Sequence, residues 1–125
     1  MADEVTERGG VPVVVCNPDG APIAGTQDAL DVIGTAFSRA DVVAVPVGRF
    51  DERFFDLRTG LAGEVMQKFV NYRIRLVVVG DLSEQVAASM ALRDLIAESN
   101  NGDHVWFVAD LDDLDARLRA RGAAA

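Results

Sequence analysis

The residues with the clearest chemical potential are concentrated in one polar segment, Phe54–Gly63. Asp56 or Thr59 can cap a helix there, and the unpaired backbone amides of a helix start favour an anion. Gly60 and Gly63 lie in the same predicted turn. Because glycine destabilises a helix, their presence there requires a structural or functional explanation. Two interpretations remain open: the glycines let the helix press on a sheet while Asp56 is a simple cap, or the segment is a binding or switch surface.

A second polar group lies at Gly80–Ser83, where Asp81 and Ser83 come directly after a predicted strand. Asp81 and Asp56 together could supply carboxylate oxygens to Mg²⁺, which prefers such ligands. An Asp that follows a strand and a glycine is also common in turns, where its side chain bonds to the nearby backbone. We therefore predict no metal and no cofactor. Ser83 is retained as a candidate binding residue at a helix start.

Three arginines near the same segment define an alternative function. The cations that could hold a small anionic ligand are Arg49, Arg53 and Arg58. Asp56 or Asp81 would then be the general base. Because the sequence offers no nucleophile placed beside a base, we predict no catalytic residue. An enzyme or a small-anion binding protein is therefore the alternative rather than the leading hypothesis.

The single cysteine and the single histidine limit other chemistry. Cys16 excludes an intramolecular disulfide and a cysteine-based zinc cluster, and its place at a strand end predicts a buried apolar role. A Ser–His–Asp triad would have to use His104, which has no ligand-spaced His, Cys or acid nearby. Cys16 is therefore predicted to be structural, and His104 to be structural or merely exposed.

The charge balance excludes two classes of partner. The 125 residues contain 12 Lys and Arg against 20 Asp and Glu, a net charge of -8. Excess positive charge draws proteins to nucleic acids and anionic membranes, so neither is predicted as a partner. The stretch Arg49–Arg75, however, holds six bases against four acids, a local charge of +2. The candidate site is therefore mildly basic and suits an acidic protein or an anionic small molecule.

Hydrophobic periodicity predicts β-strands separated by helices. The strands are predicted at Val11–Cys16, Asp41–Val47, Arg73–Gly80 and His104–Val108. The helices are predicted at Thr26–Ser38, at Leu57–Val70, from Ser83 or preferably Ser89, and after the cap Asp110. A further short strand at Ala21–Gly25 could pair with the first strand through the turn Asn17–Gly20.

This alternation is typical of a single α/β domain with a mostly parallel sheet of four or five strands and helical crossovers. We predict a disordered extension at 1–10, the domain at 11–120 and a tail at 121–125. The acidic N-terminus lacks the features of a signal peptide, and the apolar runs are too short to cross a bilayer. The chain is therefore predicted to be cytoplasmic, where a free cysteine is stable.

Four stretches together resemble a bacterial family, the domain-of-unknown-function family numbered 4180. They are FFDLRTGLAGEVMQKFVNYRIRLVVVGDLS (Phe54–Ser83), ALRDLIAESNNG (Ala91–Gly102), VWFVADLDDLDARL (Val105–Leu118) and QDALDVI (Gln27–Ile33). The resemblance covers about Val11–Leu118, and the chain departs from it in the acidic extension and in a longer Gln85–Ala88 stretch. The family has no established activity, so the resemblance implies a fold and no function.

A second resemblance is to the STAS domains, the sulfate-transporter and anti-sigma-factor-antagonist modules. Their element order is similar, and their regulatory serine or threonine begins the helix after the third strand, behind an acid. Thr59-Gly-Leu61, with Asp56 upstream, takes that place here, although the acid lies further from the hydroxyl. The resemblance implies a STAS-like fold and a phosphorylation switch at Thr59.

The predicted function is a non-enzymatic regulatory or protein-binding module, STAS-like, that contacts a protein partner or an anion at the start of the second helix. The alternatives are the arginine-based enzyme or anion-binding protein and a self-associating structural protein such as a homodimer. A structure can distinguish these functions at the start of that helix. A buried pocket lined by the arginine and aspartate side chains would favour the enzyme, and a flat or filled surface would count against it.

Overall fold

The computed structural model describes residues 4–124, with side chains for 4–121, and contains one sheet and the helices that cover it. The strands are β1 (Glu4–Arg8), β2 (Val11–Val15), β3 (Val42–Pro46), β4 (Arg75–Val79) and β5 (Val105–Val108). The α-helices are α1 (Thr26–Ala36), α2 (Leu61–Asn71), α3 (Ser83–Ala88), α4 (Met90–Asn100) and α5 (Leu111–Ala124). The connection from β3 to α2 contains three short 3-10 turns, Val47–Arg49, Glu52–Phe54 and Leu57–Thr59.

The five strands lie side by side in chain order, β1-β2-β3-β4-β5. The strands β2 to β5 are parallel to their neighbours, and β1 is antiparallel to β2. The α/β class is therefore confirmed, with a mixed sheet in which one pair is antiparallel. Each helical crossover advances the sheet by one strand in the same direction. Because such crossovers are right-handed, α1, α2 and α4 lie on one face of the sheet.

The alternation of side chains along the strands divides the core into two layers. The layer beneath α1 and α2 includes Val14, Val32, Ile33, Val43, Val45, Val65, Phe69, Leu76 and Val78. The layer beneath α5 includes Val13, Val42, Ala44, Val77, Trp106, Val108, Leu114 and Leu118. Burial on both faces explains why these strands are near-continuous apolar runs and why the sequence predicts them.

The acidic N-terminus contains a strand. The predicted disorder is wrong for residues 4–10, where β1 pairs with β2 through the two-residue turn Gly9-Gly10. The two glycines have φ values of 56° and 85°, which a type I′ hairpin turn requires. Arg8 also ties this hairpin to α5 by an ion pair with Asp115, at 3.1 Å. The Gly-Gly pair before an apolar run is the sequence signal that indicates a hairpin.

The predicted tail from residue 121 continues α5 instead, as far as Ala124. Residues 1–3 and 125, at the ends of the predicted extension and tail, lie outside the described residues. Within residues 4–124, no helix combines the length and the apolar character needed to cross a membrane.

Two connections differ from their predictions. Ala21–Gly25 is not a strand paired with β2, because β1 and β3 occupy both edges of β2. Within that segment Ile23 forms an isolated bridge with Phe50. Ser83 and Ser89 both begin helices: Ser83 starts α3, and the Ser89 hydroxyl caps α4 by accepting a backbone hydrogen bond. The preference for Ser89 as a cap is confirmed.

The edge of the sheet at β5 is closed by a side chain. Asn100, at the end of α4, donates from Nδ2 to the Phe107 carbonyl (3.2 Å) and accepts from the Phe107 N–H at Oδ1 (2.7 Å). This amide stands in for a neighbouring strand on an otherwise unpaired edge. The adjacent Trp106 lies between the guanidinium groups of Arg75 and Arg117, at 4.3 and 4.5 Å from its ring.

Removal of the Asn100 amide should destabilise the fold. Asn100→Ala leaves the Phe107 N–H without its partner, so we expect a loss of about 1–3 kcal/mol in the free energy of unfolding. Urea denaturation measures this loss. The neighbouring exposed Asn101 is the matched control, and Asn101→Ala should change stability by less than about 0.5 kcal/mol. Equal losses in the two variants would contradict the edge-closing role.

Candidate functional site

The connection between β3 and α2 rests on three phenylalanines. Phe54 is fully buried, and its ring centroid lies 4.3 Å from that of Phe50 and 5.1 Å from that of Phe55. Edge-to-face and tilted aromatic contacts of this kind add to the burial of the rings themselves. The aromatic cluster therefore provides a fixed base for the polar residues Asp51–Gly63, which we name the α2 start surface.

Arg49 lies outside that surface. It is the buried charged residue of the described chain, and its guanidinium donates to the backbone carbonyls of Ala21 (2.9 Å) and Asn17 (2.8 Å). These bonds pin the loop between β2 and α1 to the end of β3. Arg49 therefore has a structural role in place of the predicted ligand contact.

Arg53 and Arg58 each pair with the carboxylate two residues earlier. Asp51 Oδ1 accepts from Arg53 Nε at 2.9 Å and from the Arg53 backbone N–H at 3.0 Å. Asp56 repeats the arrangement with Arg58, accepting from its Nε and backbone N–H at 3.1 and 3.2 Å. Each Asp-x-Arg unit thus caps a 3-10 turn and neutralises its own arginine. The predicted three-arginine anion site is not assembled.

Thr59 holds the corner between the last 3-10 turn and α2. Its Oγ1 lies 2.7 Å from the Arg53 carbonyl and 2.8 Å from the Asp56 carbonyl, to which the hydroxyl donates. The same oxygen accepts from the backbone N–H of Leu61, the first residue of α2, at 3.3 Å. Gly60 is the N-cap residue of α2, and Thr59, one residue earlier, supplies the oxygen that accepts from the first amide of the helix. Asp56, predicted with Thr59 as an alternative cap of the second helix, caps the preceding 3-10 turn instead.

Asp81 and Ser83 form a separate cap behind β4. Asp81 Oδ1 accepts from the Ser83 backbone N–H at 2.8 Å, and this bond holds the pKa of Asp81 below its ordinary value. The residues therefore start α3, as ordinary turn chemistry suggests. Among the described residues there is no cluster of three or more His, Cys, Asp or Glu that could hold a metal ion. Cys16 is buried, as predicted.

A cleft of about 560 Å³ separates α2 from α4 and begins at the α2 start surface. Its α2 side is lined by Leu57, Gly60, Ala62, Gly63, Met66, Gln67 and Val70. Its other side is lined by Leu95, Glu98, Ser99, Gly102, Asp103, His104 and Val105. We name it the α2–α4 cleft. Of these lining residues, the sequence indicates only Gly60 and Gly63 as part of a site. The others are helix residues or belong to the short turn at Leu57 and the connection into β5, and no motif marks them.

The two glycines of the site have different physical reasons. Gly60 has a φ of 78° and ends the 3-10 turn before α2 begins, which explains why the predicted continuous helix from Leu57 is interrupted. Gly63 lies within α2, and a Cβ placed there would meet no atom within 4 Å. The interpretation that Gly63 lets the helix press on the sheet is therefore wrong. Gly63 instead borders the open space of the cleft.

A family model, Domain of unknown function (DUF4180), matches residues 8–118 of the chain. The chain belongs to this family. The match confirms the resemblance seen in the sequence, and it covers β2 to β5, α1 to α4, the α2 start surface and the α2–α4 cleft. Searches of curated proteins and of solved structures found no match.

Gly63 should be dispensable for folding. Because a Cβ meets no atom there and alanine favours a helix, Gly63→Ala should raise the free energy of unfolding by about 0.5–1 kcal/mol. Gly34 in α1 also faces open space and is the matched control, with the same expected gain. Chemical denaturation of both variants checks this. A loss of stability confined to Gly63→Ala would show that the fold itself requires this glycine.

The Asp56–Arg58 pair should be visible in an acid titration. The hydrogen bonds from the Arg58 side chain and backbone lower the pKa of Asp56 below its ordinary value. The stabilisation by this pair is therefore present above about pH 4 and is lost as the pH falls through the lowered pKa.

NMR titration of the carboxyl carbon should show a midpoint for Asp56 that rises toward the ordinary value in Arg58→Gln. The same substitution should leave the midpoint of Asp51, which pairs with Arg53, unchanged. A midpoint for Asp56 that does not respond to Arg58→Gln would show that the pair does not persist in solution.

Proposed function

We propose that this chain is a non-enzymatic regulatory or protein-binding module of the bacterial cytoplasm, and that its partner contacts the α2 start surface. One observation carries the proposal. The hydroxyl of Thr59, an exposed residue, joins the Arg53 and Asp56 carbonyls to the first amide of α2. A contact with this oxygen, or its modification, would therefore disturb the link between the last 3-10 turn and α2.

Phosphorylation of Thr59 would change the corner in two ways. A phosphate ester oxygen has no proton to donate, so the hydrogen bond that the Thr59 hydroxyl shares between the Arg53 and Asp56 carbonyls is lost. The phosphate also adds a charge of about −1.5 to −2 beside the Asp56 carboxylate, which repels it, while the exposed Arg58 can turn to the phosphate. The modified surface thus differs in both shape and charge, as a regulatory switch requires.

The resemblance to STAS domains supports the same position. Thr59 lies two residues before α2, the helix that follows β3, close to the place where those domains carry their regulatory hydroxyl. A STAS-like fold for this chain is part of the proposal, together with the switch at Thr59.

The positions of the arginines argue against the enzyme alternative. Arg49 donates its hydrogen bonds to backbone carbonyls away from the surface. Arg53 and Arg58 each form an ion pair with the aspartate two residues earlier. A small anion would have to displace Asp51 or Asp56 before it met a free guanidinium. The anionic partner predicted from the local charge therefore fits better as an acidic protein surface that competes for exposed ion pairs.

The switch is tested by phosphorylation. Incubation with ATP and candidate serine/threonine kinases should add one phosphoryl group, detected by intact-mass analysis, and Thr59→Ala should abolish the addition. In the modified protein, amide NMR signals of the α2 start surface should shift, while those of β3 and β4 stay in place. Addition of phosphate that persists in Thr59→Ala, or an unmodified wild-type chain, would overturn the switch.

Partner binding is tested by charge reversal on two faces. Arg58→Glu alters the α2 start surface and should abolish capture of a protein partner by the tagged chain. Arg119→Glu, at an exposed position of α5, makes the same change in net charge and should leave capture intact. Size-exclusion chromatography with light scattering identifies a second copy as the partner if a dimer forms that Arg58→Glu dissociates. Equal effects of the two reversals would place the contact elsewhere.

A further inference from the structure

The α2–α4 cleft has the size of a small-molecule site. Its volume of about 560 Å³ falls within the range of about 300–1,000 Å³ that such sites occupy. Ligand sites of this kind are largely apolar and carry a few polar groups that orient the ligand. Met66 on the α2 side and Leu95 on the α4 side are both half-buried, so each keeps apolar surface available to an occupant.

The polar groups of the cleft gather at the C-terminal end of α4. Glu98 and Ser99 belong to its last turn, and Asp103 and His104 follow it. The lining contains two carboxylates and neither lysine nor arginine. The end of a helix also carries a partial negative charge from its unpaired carbonyls. This end of the cleft therefore favours a positively charged group.

Of the two carboxylates, Glu98 is the one left to meet a ligand. Asp103 already pairs with Arg121. Glu98 is exposed and takes part in none of the ion pairs found among the described side chains. Its place in the last turn of α4, which contains no basic residue, is unfavourable for a carboxylate because of the helix dipole. A cation beside Glu98 would relieve this.

Leu95 and Glu98 are three residues apart on α4, so their side chains are neighbours on one helix face. On the α2 side, Gly63 presents bare backbone to the cleft, and among the described residues outside its own helix no atom lies within 4 Å of the place that a Cβ would take. The cleft thus offers an apolar wall, a close backbone approach and a carboxylate within the reach of one small molecule.

We propose that the α2–α4 cleft binds a small organic cation, an alkyl or aryl amine. The apolar body of the amine lies between Met66 and Leu95, and its ammonium group meets Glu98. The cleft shares Leu57, Gly60 and Gly63 with the α2 start surface, but Thr59 is not part of its lining. The proposed binding therefore does not depend on the regulatory function proposed above.

Three probes of nearly equal shape test the proposal: 4-phenylbutylamine, 4-phenylbutan-1-ol and 4-phenylbutyrate. Each is titrated into the full chain at low ionic strength, and binding is followed by amide NMR shifts. The amine should bind roughly three- to fivefold more tightly than the alcohol, as expected for one partly exposed ion pair. The carboxylate should bind most weakly, and added salt should reduce the preference for the amine.

Two variants and their matched controls locate the site. Glu98→Gln should remove the preference for the amine while the alcohol still binds, whereas Glu84→Gln, an exposed acid on α3, should leave the preference intact. Gly63→Leu places a side chain at the wall of the cleft and should weaken binding of all three probes. Gly34→Leu makes the same change in α1 and should leave binding unchanged, and thermal melts check that each variant is folded.

The outcomes separate the proposal from its competitors. Equal affinity for amine and carboxylate, shifts away from α2 and α4, or undiminished binding to folded Gly63→Leu would each overturn it. A basic amphipathic peptide that binds the cleft when none of the three probes does would also overturn it, in favour of a protein partner. Loss of the Thr59 switch with amine binding retained would refute the regulatory proposal alone.

Discussion

The structure depends on the direction in which the chain winds. Four parallel strands follow each other across the sheet in chain order, so right-handed crossovers place α1, α2 and α4 on the same face. Neighbouring strands are about 4.8 Å apart, whereas packed helices need about 8–10 Å. The helices therefore cannot all lie directly over their own strands. The α2–α4 cleft lies where two of them are spread apart, and α5 alone is left to cover the opposite face.

The same chain direction places the connections to the helices at the carboxyl ends of the parallel strands. The β3–α2 connection must cross from sheet to helix layer, and it does so in three short 3-10 turns on a phenylalanine base. Each turn after the first is capped by an aspartate that also holds its arginine. Arg53 and Arg58 are therefore each paired within this surface, and the Thr59 hydroxyl is the link that joins the turns to α2. The protein contact proposed above would act on these exposed ion pairs.

Much of the fold could be predicted because burial leaves a continuous pattern. Runs such as Leu76–Val79 are apolar throughout, since both faces of the strand are covered. The β1 hairpin was missed because its residues are acidic and exposed, and only Gly9-Gly10 signals the turn. The interruption of the second helix at Gly60 was missed because periodicity continues across it. The pairing of Asn100 with a strand edge has no local signal, because it requires knowing which strand lies outermost.

By itself, the sequence determined the α/β class of the fold and the burial of the parallel strands. These follow from composition and local periodicity, which neighbouring residues along the chain express directly. Only the tertiary structure decided that Arg49 points to a remote loop, that Arg53 and Arg58 are neutralised, and that Gly63 faces open space. Such outcomes depend on which segments meet across the sheet, and no local pattern records how far two helices on one face stand apart.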